Sequence, residues 1–462
     1  MPSQTLESGS PPIRAAEPVT SIAAQSAGLG VGTAACIMRR GAAASVCARG
    51  ARRVGCHPLP PARPSHHPPA VPARLPDDPP DDRLSAAQPA RMPPPAPGPA
   101  PAGVALRLRT DVVVVGAGQA GLSAAYHLQR RGLAPVRGFV VLDRSPAPGG
   151  AWQFRWPSLT LSTVNRVHDL PGMPFADAVD TTAREVPAAD AVPRYFAAYE
   201  RRFALPVYRP VTVTVVCDRG ERLVVETDRG EVSARGLVNA TGTWDRPYIP
   251  EVPGAERFRG RQLHTRDYRT AAEFAGRHVV VVGAGISAIQ LLDEVSRVTT
   301  TTWVTRRPPE FRAGPFDAAA GRAAVAAVED RVRRGLPPAS VVSATGIPVT
   351  PAVEAMRARG VLERRPMFRE ITDDGVRWPD GSTLRADVIL WCTGFRSALD
   401  HLAPLGLREP GGGIVMTGRL ATRVAKDARV HLVGYGLSAS TIGANRAGAA
   451  AAGELMAFLG LG

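Results

Sequence analysis

The sequence predicts an α/β fold with two Rossmann-like dinucleotide-binding domains, because two glycine-rich fingerprints each follow a short apolar run. The first, Gly116-Ala117-Gly118-Gln119-Ala120-Gly121, follows the valines at 112–115. The second, Gly283-Ala284-Gly285-Ile286-Ser287-Ala288, follows the valines at 279–282. A strand that enters a tight glycine turn and then a helix brings backbone N–H groups and the helix dipole to a pyrophosphate. One such match is weak evidence, but two with the right flanks predict two bound dinucleotides.

The residues after each following strand indicate which dinucleotide binds. The apolar run 139–142 ends in Asp143, 22 residues past the first fingerprint, where a carboxylate accepts hydrogen bonds from an unmodified ribose such as that of FAD. The run 303–305 ends in Arg306 and Arg307. A guanidinium matches a 2′-phosphate in charge and shape, so the second site is predicted to bind NADPH. The alternatives are that the arginines are solvated surface charge and that Asp143 caps a helix.

The net charge raises the question of a nucleic-acid partner. The chain has 462 residues and a formal net charge of +15, and all but one of its basic residues are arginine. A basic balance can indicate nucleic-acid binding, but the arginines are scattered and no run alternates basic and aromatic side chains. We therefore interpret the charge as coding bias on an ordinary surface and expect no nucleic-acid partner.

Cysteine spacing and hydropathy bear on redox chemistry and compartment. None of the five cysteines has Cys-x-x-Cys spacing, which argues against a redox disulfide relay and a zinc site, so we expect no metal. Residues 18–38 lack charge but are mostly small, too weakly apolar to span a membrane, and Arg39 and Arg40 come after them, whereas a secretory signal has positive charge before its apolar run. These features predict a cytoplasmic protein without integral membrane association; they do not predict an oligomeric state.

The first 103 residues differ in composition from the rest. They contain 21 of the 45 prolines and show no apolar period, so we expect a disordered extension rich in proline, alanine and arginine. Two interpretations are open: a tether or targeting segment, or a misassigned start codon with the true protein beginning near residue 106. We favour the second.

From residue 106 the order of predicted elements indicates a discontinuous FAD-binding domain with an NADPH-binding domain inserted in it. The expected boundaries are 104–252 and 385–462 for the two parts of the FAD domain and 253–384 for the NADPH domain. The elements are a βαβ unit at 110–143, a helix at 192–203, strands at 211–216, 222–227 and 231–239, a second βαβ unit from 278 with a helical stretch at 318–335, strands at 388–391 and 430–433, and a final helix at 440–459.

A motif between the fingerprints resembles a known family signature. The segment Phe258-Arg259-Gly260-Arg261-Gln262-Leu263-His264-Thr265-Arg266-Asp267-Tyr268 is similar at every fixed position to the Phe-x-Gly-x-x-x-His-x-x-x-Tyr signature of class B flavin-dependent monooxygenases. Gly149-Gly150-Ala151-Trp152 resembles their Gly-Gly-x-Trp motif. The segments 240–242 and 392–395 resemble their two Ala-Thr-Gly-type hinges. The segment 159–175 resembles the auxin-forming YUCCA-type branch.

The resemblance implies roles for individual residues. Gly150, Trp152, Thr393 and Gly394 would contact cofactor. His264 and Tyr268 would belong to the catalytic site, where the resemblance implies that His264 orients the linker and the nicotinamide rather than transferring protons.

One position departs from the family pattern. Animal-type flavin-containing monooxygenases carry an Asn after Gly-Gly-x-Trp, but Ser162 stands at that spacing here and Asn165 follows three residues later. The role of that Asn is therefore not assigned to Asn165.

The implied reaction uses both cofactors. NADPH would reduce FAD, and the reduced flavin would react with O₂ to a C4a-(hydro)peroxide. That species would give one oxygen atom to a nitrogen, a sulfur or a carbonyl carbon of a small organic substrate. Two alternatives stay open: an NADPH-dependent flavoprotein reductase or oxidase without oxygenation, and a non-catalytic nucleotide-sensing flavoprotein.

We interpret Cys392 as a buried apolar residue rather than a nucleophile.

Overall fold

The computed structural model describes residues 105–164, 167–180, 182, 185–313, 318–338 and 346–461. The predicted extension 1–103 and Asn165 lie outside these described residues. Within them, no helix has both the length and the apolar character needed to cross a bilayer.

The described chain contains nineteen strands and six α-helices. The strands in the first half are β1 (Leu106–Val115), β2 (Phe139–Leu142), β3 (Val207–Tyr208), β4 (Val213–Asp218), β5 (Leu223–Thr227), β6 (Gly230–Asn239), β7 (Arg261–His264), β8 (Val279–Val282) and β9 (Thr301–Thr305). Those that follow are β10 (Phe311–Arg312), β11 (Ile347–Pro348), β12 (Arg364–Pro366), β13 (Glu370–Thr372), β14 (Gly375–Arg377), β15 (Thr383–Arg385), β16 (Val388–Trp391), β17 (Met416–Thr417), β18 (Arg423–Val424) and β19 (Val430–Leu432). The helices are α1 (Gln119–Arg130), α2 (Ala188–Arg202), α3 (Ile286–Val295), α4 (Ala318–Arg333), α5 (Pro351–Ala358) and α6 (Thr441–Leu459).

The larger sheet carries the first fingerprint. Its order is β17-β18-β19-β6-β1-β2-β3, with β4 and β5 added to β6 as an antiparallel extension. The strands β19, β6, β1, β2 and β3 are parallel to one another. The valines of β1 are buried because apolar clusters cover both faces of this central strand. The predicted α/β class is confirmed.

The second sheet carries the second fingerprint. All five of its strands are parallel, in the order β12-β9-β8-β16-β7. The strand Val388–Trp391 therefore pairs with β7 and β8, whereas the sequence assigned it to the second part of the FAD domain, 385–462. The expected boundary between the NADPH domain and the second part of the FAD domain, at 384/385, is therefore too early, and the boundary lies after β16. The sequence does not distinguish the two cases, because an apolar strand has the same composition in either parallel sheet.

The helix α4 also differs from its expected place. The sequence analysis assigned this helix to the second βαβ unit and thus to the smaller sheet. In the structure, Val328 and Val332 belong to the apolar cluster of the larger sheet, with Met416 and Tyr435. An alanine- and arginine-rich amphipathic helix can cover either sheet, so tertiary packing makes this choice.

Candidate cofactor site

A cavity of about 500 Å³ lies where β1, β2 and β6 end at their carboxyl edge. In parallel α/β sheets this edge, beyond the strand ends, is where ligands bind. The cavity brings together several predicted residues from separate parts of the sequence: Gly116, Gly118, Asp143, Gly150 and Trp152. The N-terminal residues of α6 also line it.

The first glycine turn is packed on one side and open on the other. Gly116 has a φ of +101°, and a Cβ there would lie 2.6 Å from the carbonyl oxygen of Ala240. A Cβ on Gly121 would lie 1.8 Å from the carbonyl oxygen of Gly116, so this position is closed by helix-to-turn packing. At Gly118 a Cβ would meet no atom within 4 Å. Gly118 thus leaves room for a ligand at the backbone, as a pyrophosphate requires.

Asp143 lies at the predicted position but has a protein partner. The residue is 5% exposed, and its side chain accepts hydrogen bonds from Nε and Nη2 of Arg209, at 3.3 and 3.1 Å. Arg209 also donates to both carboxylate oxygens of Glu200, at 2.6 and 2.9 Å. Burial raises the pKa of Glu200, opposed by the Arg209 guanidinium. The second oxygen of Asp143 receives only a 3.5 Å contact from the Ser145 N–H.

The second glycine turn repeats the geometry of the first on the smaller sheet. Gly283 has a φ of +145°, and a Cβ there would lie 2.3 Å from the carbonyl oxygen of Cys392. A Cβ on Gly285 would meet no atom within 4 Å. Trp303 Nε1 donates to the Gly283 carbonyl oxygen at 2.7 Å and fixes the turn to β9. Ala288 is fully buried in the apolar cluster beneath this turn.

Arg306 and Arg307 leave β9 beside this second turn. The backbone N–H of Gly283 donates to the carbonyl oxygen of Val304 at 2.9 Å, so the arginines follow directly on the strand that holds the turn. Both side chains are exposed, and among the described residues neither guanidinium makes a hydrogen bond or an ion pair. Sequence analysis missed Arg364, which donates from Nε to Thr305 Oγ1 at 2.8 Å from the neighbouring strand β12.

His264 is buried at the end of β7, with 1% exposure. Its Nδ1 accepts a hydrogen bond from the Arg266 N–H at 3.1 Å, and its Nε2 donates to the Gly394 carbonyl oxygen at 2.9 Å. Burial lowers the pKa of His264, which favours the neutral ring. The two hydrogen bonds fix the tautomer that carries its proton on Nε2.

The two connections between the sheets, each of which contains an Ala-Thr-Gly-type segment, bond to each other. The Tyr248 N–H donates to the Gly394 carbonyl oxygen at 2.9 Å, and Thr393 Oγ1 donates to the Tyr248 carbonyl oxygen. Thr241 Oγ1 donates to the Ala398 carbonyl oxygen at 2.7 Å. Thr393 and Gly394 serve this pairing and do not line the cavity, whereas the next residue, Phe395, does.

Tyr268 lies beneath the second sheet, outside the cavity wall. Its hydroxyl donates to Glu294 Oε2 at 2.7 Å, and Ser158 Oγ donates to the same oxygen at 2.8 Å. Its ring stacks on Phe274 and meets Trp156 edge-on. Burial and the neighbouring Glu294 carboxylate raise the pKa of Tyr268. The hydroxyl therefore stays protonated and ties the motif to α3.

An aromatic stack that sequence analysis missed forms part of the cavity wall. Phe395 meets the His264 ring edge-on at 4.8 Å and stacks on Trp244 at 5.2 Å between centroids. Trp244 stacks in turn on Phe154, 6.2 Å away. Trp244 follows the first Ala-Thr-Gly-type segment by two residues and Phe395 ends the second, and this shared position is the signal that could have identified the stack.

Cys392 and Ser162 are the two remaining residues discussed in the sequence analysis. Burial raises the pKa of the Cys392 thiol to about 12, which makes it a poor nucleophile. Ser162 Oγ lies 2.7 Å from Thr160 Oγ1 in a polar turn after the Gly-Gly-x-Trp motif.

Comparison with known proteins places this geometry among flavoproteins. The family model for pyridine nucleotide-disulphide oxidoreductases matches residues 113–317, which contain both glycine turns. A flavin-containing monooxygenase from Stenotrophomonas maltophilia is 38% identical, with a TM-score of 0.64, over 76% of this chain and 99% of that chain. The indole-3-pyruvate monooxygenase YUCCA4 of Oryza sativa is 28% identical over 63% of this chain and 75% of that protein. The uncharacterized oxidoreductase CzcO of Bacillus velezensis is 26% identical over 66% of this chain and 87% of that protein.

Proposed function

Because this chain belongs to the class B flavin-dependent monooxygenases, we propose that its cavity holds FAD, that its second glycine turn holds NADPH, and that it oxygenates a small organic substrate. The chain is a flavin monooxygenase that uses FAD and NADPH. Reductase, oxidase and nucleotide-sensing alternatives are not favoured. The observation that carries the assignment of the two sites is the pair of glycine turns, each closed at one glycine and open at the next.

The residues of the larger sheet fit FAD. Gly118 is open to the cavity and leaves room for a pyrophosphate at the backbone, and Gly150 packs against it, since a Cβ on Gly150 would lie 3.0 Å from the Gly118 Cα. Trp152 gives the wall an aromatic surface. Asp143 has one carboxylate oxygen held by Arg209, which leaves the other for a ribose hydroxyl. When bound, the flavin supplies the redox chemistry: it accepts a hydride from NADPH and activates O₂.

The residues of the smaller sheet fit NADPH. Gly285 leaves room at the backbone, and Arg306 and Arg307 carry two guanidinium groups without partners in the described chain. These groups would bind a 2′-phosphate by charge-assisted hydrogen bonds. Arg364, fixed to Thr305, adds positive charge at the same strand ends.

His264 acts as a positioning residue in this proposal. Both ring nitrogens are engaged by the backbone, so the ring transfers no proton unless one of these bonds breaks. Its ring contacts Phe395, and Phe395 stacks on Trp244 in the cavity wall. The position of the motif thereby affects the position of the wall. Tyr268, through Glu294, fixes the other end of the motif. The motif thereby sets how the second sheet approaches the flavin.

The oxygen acceptor is a nucleophilic amine or sulfide or a carbonyl compound. Support comes from the range of similar proteins, which includes an indole-3-pyruvate monooxygenase and a Baeyer-Villiger monooxygenase. Phe154, Trp244 and Phe395 form an aromatic wall that would keep water from the reduced flavin. The same wall favours an apolar or aromatic substrate. We further propose a cytoplasmic location, supported by the free thiols of Cys217 and Cys392.

The decisive experiment measures coupling between NADPH and product. The purified protein is tested for a flavin spectrum, and NADPH consumption, O₂ consumption and hydrogen peroxide are measured with a panel of amines, sulfides and ketones. We expect at least one class to lower the peroxide-to-NADPH ratio and to yield a product that carries one oxygen atom from ¹⁸O₂. One peroxide for each NADPH with every compound would move the protein to the oxidase alternative.

A further inference from the structure

Arg155 is a cation in the cavity wall between two aromatic rings. Its guanidinium carbon lies 4.7 Å from the ring centroid of Trp244 and 5.8 Å from that of Trp152. It follows the single-turn 3₁₀ helix Gly150–Phe154, whose first residue packs against the first glycine turn at Gly118. The charge therefore stands near the part of the cavity assigned above to the cofactor.

The other ionised side chains that line the cavity have partners of opposite charge. Three ion pairs account for them: Asp143 with Arg209, Arg144 with Asp245, and Arg246 with Asp400. Arg155, by contrast, forms no ion pair and donates no hydrogen bond within the described chain, and its Nε is a buried atom without a partner. The wall thus carries one positive charge that the protein itself does not compensate.

Partial burial makes this charge costly without a ligand, because Arg155 is only partly exposed and its Nε is buried. Desolvation lowers the pKa of Arg155 to about 10, so the side chain is still protonated at neutral pH. The two indole faces offset part of the lost hydration by cation–π attraction, but they accept no hydrogen bond from the guanidinium edge. A partly buried cation is stabilised by an anion or by a set of acceptors placed against it. An oxyanion that enters the cavity would both neutralise the positive charge of Arg155 and accept hydrogen bonds from its guanidinium.

We propose that Arg155 binds an oxyanion inside the cavity, either a phosphate oxygen of bound FAD or the carboxylate of an organic acid. The two ligands present the same chemistry, a planar or tetrahedral group of anionic oxygens that accepts hydrogen bonds from a guanidinium fork. The inference rests on the proposed function, because it takes the cavity as the flavin site.

The test uses the FAD-loaded protein and three variants. Arg155→Gln removes the charge, and Arg155→Lys keeps it without the fork. Arg277→Gln removes an exposed arginine outside the cavity and serves as the control for net charge. The first measurement is the dissociation constant of FAD. The second follows the flavin absorbance during titration with benzoate and with its uncharged analogue benzamide, which is a readout independent of turnover.

The two measurements distinguish the sources of the oxyanion. If Arg155 binds a phosphate, Arg155→Gln weakens FAD binding about tenfold or more, while Arg155→Lys falls between it and the unaltered protein. If it binds an organic acid, FAD affinity is kept and Arg155→Gln loses any preference for benzoate over benzamide. Unchanged values in both measurements would overturn the inference. A protein that contains no FAD before substitution would instead refute the proposed function.

Failure of Arg155→Gln to fold does not remove the test. Arg155→Lys keeps the positive charge and the length of the side chain and is expected to fold. Loss of FAD affinity or of benzoate preference in this variant then supports the inference. Values equal to those of the unaltered protein and of Arg277→Gln in a folded Arg155→Lys variant contradict it.

Discussion

The His264 imidazole donates from Nε2 to the carbonyl oxygen of Gly394 at 2.9 Å, across the ends of the neighbouring strands β7 and β16. The same carbonyl also accepts the N–H of Tyr248, which belongs to the other connection between the sheets. A single backbone oxygen thus joins the family motif to both connections. This arrangement explains why a histidine with no free ring nitrogen stands at a fixed motif position.

Replacing His264 tests its positioning role. His264→Ala removes the bond to Gly394 and the edge contact with Phe395, so we expect slower flavin reduction by NADPH and a larger share of NADPH lost as peroxide. The FAD content should stay close to that of the unaltered protein, because His264 does not line the cavity. Stopped-flow reduction and peroxide assays measure these effects. His264→Gln, which can donate to the same carbonyl, should recover part of the loss; equal defects in both variants would argue for direct proton transfer.

Matched substitutions of Gly118 and Gly285 test the two proposed cofactor sites independently. Gly118→Val places a branched side chain in the opening toward the cavity, so we expect protein without FAD. Gly285→Val places the same side chain at the equivalent position of the second turn, so we expect normal FAD content with flavin reduction by NADPH slowed at least tenfold. Flavin absorbance after purification and anaerobic reduction rates provide the comparison. Normal FAD content in Gly118→Val would refute the first assignment.

Coenzyme preference tests Arg306 and Arg307. Replacing both with Ala removes charge-assisted hydrogen bonds to the 2′-phosphate, which should cost about 1.5–3 kcal/mol, or roughly ten- to a hundredfold in affinity. The KM for NADPH should rise while that for NADH stays nearly constant. Arg277→Ala removes an exposed arginine just before β8, at the amino ends of the strands of the same sheet, and is the control. No change in the NADPH-to-NADH ratio would place the phosphate contact elsewhere.

A buried histidine predicts acid sensitivity of the fold. His431 is fully buried, and burial lowers its pKa from 6.5 to about 4. The unfolded chain therefore binds a proton below pH 6.5 that the folded protein refuses until about pH 4. His431 should thus lower the free energy of unfolding by about 3 kcal/mol between these pH values and have no such effect above pH 7.

His431→Leu provides the measurement for this prediction. Urea unfolding at a series of pH values should show the variant gaining stability relative to the unaltered protein as the pH falls from 6.5 to 4. Groups shared by the two proteins cancel in the difference. Curves that run parallel through this window would show that His431 does not titrate as stated.

Local sequence determined the glycine turns and the strands that feed them. At Gly116 and Gly283 the backbone has a positive φ and a carbonyl within the reach of a Cβ, so a short-range constraint selects glycine and the pattern is readable in sequence. Burial on both faces likewise makes the end of β1, at 112–115, and all of β8 continuous valine runs. The family motif likewise identified His264, because its spacing is fixed by one strand and the turn after it.

Tertiary structure decided which sheet each ambiguous element joined and which charges were left unpaired. The strand Val388–Trp391 and the helix α4 carry apolar residues that suit either sheet, so only long-range packing assigns them. The pairing of Asp143 with Arg209 spans 66 residues. The isolation of Arg155 depends on where every other cavity charge found a partner. Short-range steric rules are written in neighbouring residues, whereas charge compensation and sheet membership are set by contacts between residues far apart in the chain.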